Sequence, residues 1–282
     1  MFRNEKLFMR EKRITVGDTY MEVDLIPHNL ADERSRAGKQ RKRKENVTAP
    51  SQANLNDKNA RRYLIELGNG NFDESDIYLT LTYDKWSLPK TVEEAEHNMT
   101  NYLRKLKRRR KKLGLDPLKY ILVTEYVEDK DTGKFSVRMN HHLVINSGLD
   151  RDEIEKMWSK KDPETNKQRR MGRARAERVQ YDDGSEGNGI EGLMKYFSKD
   201  PKGKKRWSSS RNLKRPVMRK NDWKYRTSAL LKAKESPDRG MSYFQKKYPD
   251  YEIVDRIEWE ENEMTGWHCY LKMWKKSTER VM

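Results

Sequence analysis

Polar and apolar residues recur along the chain with two periods, and the switches between them mark the elements. Residues 14–26, with Tyr20, Met21, Val23 and Leu25, predict a strand, and a basic segment with few apolar residues follows it. From Asn56 the spacing of Ala60, Tyr63, Leu64 and Leu67 predicts a helix that runs into the loop GNGNFDESD. Residues 77–83 (IYLTLTY) alternate as a strand, with Leu79, Leu81 and Tyr83 on one face and Tyr78, Thr80 and Thr82 on the other. Thr91 and Glu94 form a capping box, and Val92, Ala95, Met99, Leu103 and Leu106 recur every three or four residues until Gly114. Residues 119–127 and 135–146 predict two strands around EDKDTGK, a hairpin loop. A helix near Asp150, a strand over 173–181 and a helix from about Gly189 complete this stretch.

The order βαββαβ, followed by one helix, predicts an α+β fold. Its centre is a ferredoxin-like antiparallel sheet with helices on one face and the other face free. After Lys205 the pattern predicts a basic loop, helices over 222–233 and 239–247, and a hairpin of YEIVDRIEW with GWHCYLKMW. The expected division is a basic N-terminal extension over 1–54, a central domain over 55–205, and a subdomain over 206–282 suited to DNA recognition.

Charge changes the picture from fold to partner. There are 62 Lys and Arg against 45 Asp and Glu in 282 residues, a formal charge of +17. That excess points to a polyanion, with nucleic acid first, because cationic side chains that neutralise phosphates release condensed counterions. The charge is clustered in residues 34–44, 104–112 and 202–220, the last with Trp207 interleaved. Arg108, Arg109, Arg110, Lys204, Lys205, Arg206, Arg211, Lys214 and Arg215 are the candidate phosphate contacts. Cys269 is alone, which excludes an internal disulfide framework and a cysteine-based zinc site. No run of about 20 apolar residues is present and the first residues lack an apolar leader, so the expectation is a soluble, non-secreted, cytoplasmic chain without a membrane partner. The sequence has no G-x-x-x-x-G-K-[ST] loop, so no P-loop helicase is expected within it.

Two constellations carry possible chemistry. Alternation over 135–146 places Val137, Met139, His141, Leu143 and Ile145 on one face, and Arg138, Asn140, His142, Val144 and Asn146 on the other. If the hairpin turns at residues 131–133, Glu125 lies opposite Asn140, and a carboxylate, an amide and an imidazole converge. One imidazole beside oxygen donors, with open positions, suits Mg2+ or Mn2+ better than a closed zinc site. On the helix GIEGLMKYFSK, Ile190, Leu193, Met194 and Phe197 make the apolar stripe, while Gly192, Tyr196 and Lys199 share another face.

The strand IYLTLTY, the strand pair carrying TEY and RMNHHLVIN, and GLMKYFSK with its Tyr-x-x-Lys resemble the three ordered motifs of HUH endonucleases. The similarity is to replication initiators of rolling-circle plasmids and phages of Gram-positive bacteria. The segments SRAGKQRKRK, NLNDKNARRYL and KRWSSSRNLKRPV also resemble the phage-type replication proteins, so the likeness runs from about residue 30 to 220. The family pair is His-U-His with U apolar; here Asn140, His141 and His142 occupy those positions, and an amide replaces the first imidazole.

The resemblance implies that Tyr196 attacks a DNA phosphodiester, joining the protein to the 5′-phosphate and freeing a 3′-OH to prime synthesis. It implies that His142, Asn140 and Glu125 hold Mg2+ or Mn2+ at the scissile phosphate, with Lys199 neutralising charge. The implied partners are single-stranded DNA with an origin hairpin, and host replication proteins in a bacterial cytoplasm. A relaxase or single-strand transposase would use the same site types. A non-catalytic nucleic-acid-binding module on the same sheet, stacking bases on Tyr78 and Tyr126, is the reading outside enzymology.

Overall fold

The computed structural model describes residues 7–29, 50–128, 135–183, 188–199, 207–254, 256–263 and 265–276. In chain order the main elements are β1 (Phe8–Val16), β2 (Tyr20–His28), α1 (Pro50–Asn69), β3 (Ile77–Thr82), α2 (Val92–Lys112), β4 (Tyr120–Glu128), β5 (Phe135–Ile145), α3 (Arg151–Lys156), β6 (Ala174–Arg178), α4 (Glu191–Phe197), β7 (Trp207–Ser209), β8 (Pro216–Tyr225), α5 (Thr227–Glu235), α6 (Met241–Lys247), β9 (Tyr251–Ile253), β10 (Glu258–Asn262) and β11 (Gly266–Lys275). They form two units, a central one of Asp57–Leu213 and a second one of Met1–Asn56 with Lys214–Met282.

The central unit is built on an antiparallel sheet in the order β7-β4-β5-β3-β6. Alternation along β5 sends successive residues to opposite faces, and both faces are buried. Leu79, Leu81, Leu122, Met139, Leu143 and Ile145 pack with Ala95, Met99, Tyr102, Leu103 and Leu106 of α2. On the opposite face Ile121, Val123 and Val144 pack with Leu64 and Leu67 of α1 and with Met194 and Phe197 of α4. The expectation of helices on one face is therefore corrected: helices lie on both. Ile121, Val123 and Val144 are apolar and cannot be left to water, and the stripes of α1 and α4 cover them.

Helix α2 starts as the capping box requires, the Thr91 hydroxyl accepting from the Glu94 N–H at 3.2 Å and the Glu94 carboxylate accepting from the Lys90 N–H at 2.9 Å. It stops before Gly114, whose φ of +68° a side chain would oppose.

The second unit carries a sheet in the order β8-β1-β2-β11-β9, with β10 also paired to β11. The strand expected over residues 14–26 is the turn and second arm of a hairpin, closed at Gly17, whose φ is +59°. The helix expected from residue 222 begins at Thr227; the residues before it belong to β8, paired with β1. Strands from both ends of the chain thus share one sheet, whereas the sequence pattern had assigned them to separate extensions. Its core gathers Met21, Val23, Leu25, Leu230, Phe244, Leu271 and Met273. Among the described residues no helix is long and apolar enough to cross a membrane.

Candidate active site

The β4–β5 ladder pairs Glu125 with Asn140, Thr124 with His141, and Val123 with His142, the register that the hairpin spacing suggested. Adjacent residues of β5 then have opposite surroundings. The His141 ring is fully buried among the α2-facing residues, with Nε2 2.8 Å from the Tyr83 hydroxyl and Nδ1 2.9 Å from that of Thr124. Burial pushes its pKa down to about 3, with neighbouring His142 acting in the same direction. It is a neutral structural residue.

His142 faces α4. Its Nε2 lies 3.3 Å from the Tyr196 hydroxyl and 3.4 Å from the Glu125 carboxylate, and the Tyr196 hydroxyl is itself 3.4 Å from that carboxylate. Nδ1 of His142 lies 2.8 Å from the Tyr78 hydroxyl, with the two rings nearly parallel at 9°. The Tyr196 ring stands edge-on to the imidazole at 89°. Three groups of different chemistry therefore meet at one point, while a fourth fixes the orientation of the ring between them.

Burial lowers the His142 pKa, outweighing the opposing effect of Glu125, so the imidazole is neutral near pH 7. The Tyr196 pKa is pushed up to about 12, by burial first and then by the charge of Glu125. Tyr196 is nevertheless 42% exposed, so its hydroxyl can be reached from solvent.

The seven residues of α4 owe their position to small residues. The Gly192 N–H donates to the Asp182 carboxylate at 2.6 Å, and a Cβ at Gly192 would meet that carboxylate at 2.6 Å. A Cβ at Gly68 would come within 2.6 Å of Met194, so the missing side chain lets α4 lie close against α1. The buried Asn69 amide oxygen accepts from the Ile190 N–H at 3.0 Å at the start of the helix.

The remaining candidates are less concentrated. Asn140 is half-buried, opposite Glu125 and also opposite Thr82. Lys199 is exposed just past α4, its backbone N–H donating to the Tyr196 carbonyl at 3.1 Å. Arg108 is exposed and lines a cleft of about 410 Å³ with Arg104, Lys160 and Lys161. Arg109 is bound to Glu153 at 2.6 Å. Arg110 departs from its expected role at a phosphate. It is 2% exposed and donates to the carbonyls of Asp116, Asn146 and Ser147 at 2.6, 3.1 and 2.8 Å, tying the end of α2 to the loops beside it. Arg211, Lys214 and Arg215 are exposed, and Lys204, Lys205 and Arg206 lie outside the described residues.

Sequence reasoning gave Tyr78 no role at His142, although the signal was present: Tyr78 and Thr80 alternate along β3, and Thr80 is paired with His142. The contact needs the diagonal across a ladder, which appears only once the register is known.

Residues 76–201 match the model of a family of replication-associated proteins, the ORF2 type. The matched segment contains Tyr78, Glu125, Asn140, His142, Tyr196 and Lys199. No curated protein and no solved structure matches the chain.

Proposed function

We propose that this chain is a replication initiator of the HUH endonuclease type, which nicks single-stranded origin DNA by transesterification onto Tyr196. The observation that carries the reading is the meeting of the Tyr196 hydroxyl, the His142 Nε2 and the Glu125 carboxylate within 3.3 to 3.4 Å of one another. The family match over residues 76–201, whose description names replication-associated proteins, supports it. So does the spatial order of the sheet: counted from β3, the strands lie second, third, first, fourth, the order of a ferredoxin-like βαββαβ fold.

The Tyr196 oxygen attacks the scissile phosphorus, a Tyr–O–P bond forms and the P–O3′ bond breaks. The phenol proton passes to the Glu125 carboxylate, 3.4 Å away. The 3′-oxygen leaves and takes a proton from solvent, giving a 5′-phosphotyrosine and a free 3′-OH. The exchange of one phosphodiester for another needs no ATP. A phenol held near pKa 12 is a poor nucleophile at neutral pH, so positive charge must be brought to the site. Lys199, one turn on, supplies part of it.

His142 and Glu125 fit a hard divalent cation, Mg2+ or Mn2+. Their donor atoms are 3.4 Å apart, near the ~3 Å between adjacent ligands of an octahedral ion with bonds of about 2.1 Å. Among the described residues no group of three His, Cys, Asp or Glu gathers, so the Asn140 carbonyl would be the third ligand. Such an ion supplies charge to the phosphate and to the attacking oxygen. With Nδ1 of His142 carrying the proton and donating to the Tyr78 oxygen, the Nε2 lone pair is available.

Incubation with single-stranded oligonucleotides spanning the origin and Mn2+, followed by a denaturing gel, tests the reading. A covalent protein–DNA adduct is expected from the native chain and none from Tyr196→Phe, with binding nearly unchanged. An adduct that persists in Tyr196→Phe places the nucleophile elsewhere.

A further inference from the structure

Strand β8 is an edge of its sheet, and its exposed residues are unlike those of a merely solvated edge. Val217 and Met218 are more than half exposed, and Trp223 is 93% exposed. The ladder with β1 sets Arg13 directly opposite Arg219 and Lys12 directly opposite Lys220. Like charges at such positions repel and destabilise a sheet unless an anion comes between them. The Arg13 Nε is buried and lacks a hydrogen-bond partner among the described residues. That is a costly state for a guanidinium group, and one that a phosphate oxygen would relieve.

The register explains why Trp223 stands out. From Met9 to Glu11 the partner changes from Tyr225 to Asn221, so β8 carries a bulge opposite Arg10. The two residues flanking Trp223 are tied down: Asp222 binds Arg10 through two 2.6 Å hydrogen bonds, and Lys224 binds Glu11 at 2.8 Å. The Trp223 N–H donates to the Asn221 side chain at 2.9 Å. The indole is thus presented to solvent on a backbone fixed at both sides, which removes much of the entropy cost of ordering it on a ligand.

We propose that β8, with Arg13 of β1, is a binding surface for single-stranded DNA, with a phosphate held between Arg13 and Arg219 and a base stacked on Trp223. Cationic groups beside an exposed aromatic face are the combination that single strands require, because only an unpaired base offers its face to an indole. The surface lies wholly in the second unit and takes from the proposed function only the identity of the polymer.

The test is fluorescence anisotropy of a labelled single-stranded oligonucleotide with the full chain. All proteins carry Tyr196→Phe, so that only non-covalent binding is read. Trp223→Ala should raise Kd at least about five-fold, and Trp223→Phe should recover most of that loss. Arg13→Gln with Arg219→Gln should flatten the slope of log K against log salt by about 0.7, the value of one phosphate contact on a single strand. Arg219→Gln alone, altering an exposed side chain, provides the same reading if the double variant folds poorly. Unchanged Kd and slope in all variants overturn the proposal, as does equal competition by a duplex of the same sequence. In chains that retain Tyr196, Trp223→Ala should still form adduct at saturating DNA. Absence of adduct from every chain sinks the nicking reading, while a weakened Trp223→Ala complex still upholds this surface.

Discussion

Replacing His141 by Leu separates the structural histidine of β5 from its neighbour and carries a signature in pH. The imidazole is neutral in the fold, with its pKa near 3 against 6.5 for the free group. Below about pH 6.5 the unfolded chain binds a proton that the folded chain refuses, so stability falls with pH until about pH 3 and is flat beyond it. At pH 4.5, two units below the free value, the loss is about 2.7 kcal/mol at 1.36 kcal/mol per unit. Leucine does not titrate, so its chain is spared this loss. At pH 7 the variant is the weaker protein, because the Tyr83 and Thr124 hydroxyls lose their partner at about 1–3 kcal/mol each. The gap between the two proteins should therefore shrink by about 2.7 kcal/mol between pH 7 and pH 4.5. Urea titrations read by pulsed hydrogen exchange on peptides from 77–82 and 139–145 follow the unit concerned. His142 titrates in both proteins and cancels. A gap of equal size at both pH values would refute the buried, neutral assignment of His141 and with it the parity that gives His142 to the site.

Arg110→Ala should destabilise the central unit by about 3–5 kcal/mol, since three carbonyls lose a charged donor, yet leave the salt dependence of DNA binding unchanged. Denaturation and a salt titration check the two halves. Tyr78→Phe should weaken Mn2+ affinity about 10- to 100-fold without abolishing adduct formation, because it removes the group that orients His142. A metal titration of the nicking rate reads this. Asn140→His should lower the Mn2+ concentration for half-maximal nicking, an imidazole being the stronger ligand, and an unchanged midpoint would place Asn140 outside the metal's reach.

The site was more legible in the sequence than the architecture around it. Period-two alternation along β5 is a local property, and it separated His141 from His142 before any coordinates; the hairpin spacing then put Glu125 across from Asn140. Which helices cover which face is not local. Nothing near Ile121 or Val144 specifies that α1 and α4 pack there, and the close approach depends on side chains absent at Gly68 and Gly192. The β1–β2 turn was missed because Gly17 and Asp18 interrupt a run that otherwise reads as one strand. The strand β8 was read as part of a helix because most of its residues are exposed, leaving no apolar alternation to see. Arg110 looked like the rest of its basic run, and only the loops at Asp116 and Asn146 distinguish it.

The second unit is assembled from both ends of the chain, its Arg10 joined to Asp222 across 212 positions. Ribosomal synthesis gives this split a direction in time. The first hairpin emerges early but has no partner for either edge until β8 and β11 follow, whereas every strand of the central sheet is already made. The nucleophile's unit can therefore mature while the growing polypeptide still lacks the Arg13–Arg219 surface. A message broken after the codon for Leu213 would yield a cutter without its second grip, and with the unsheltered β1–β2 hairpin as an invitation to aggregate.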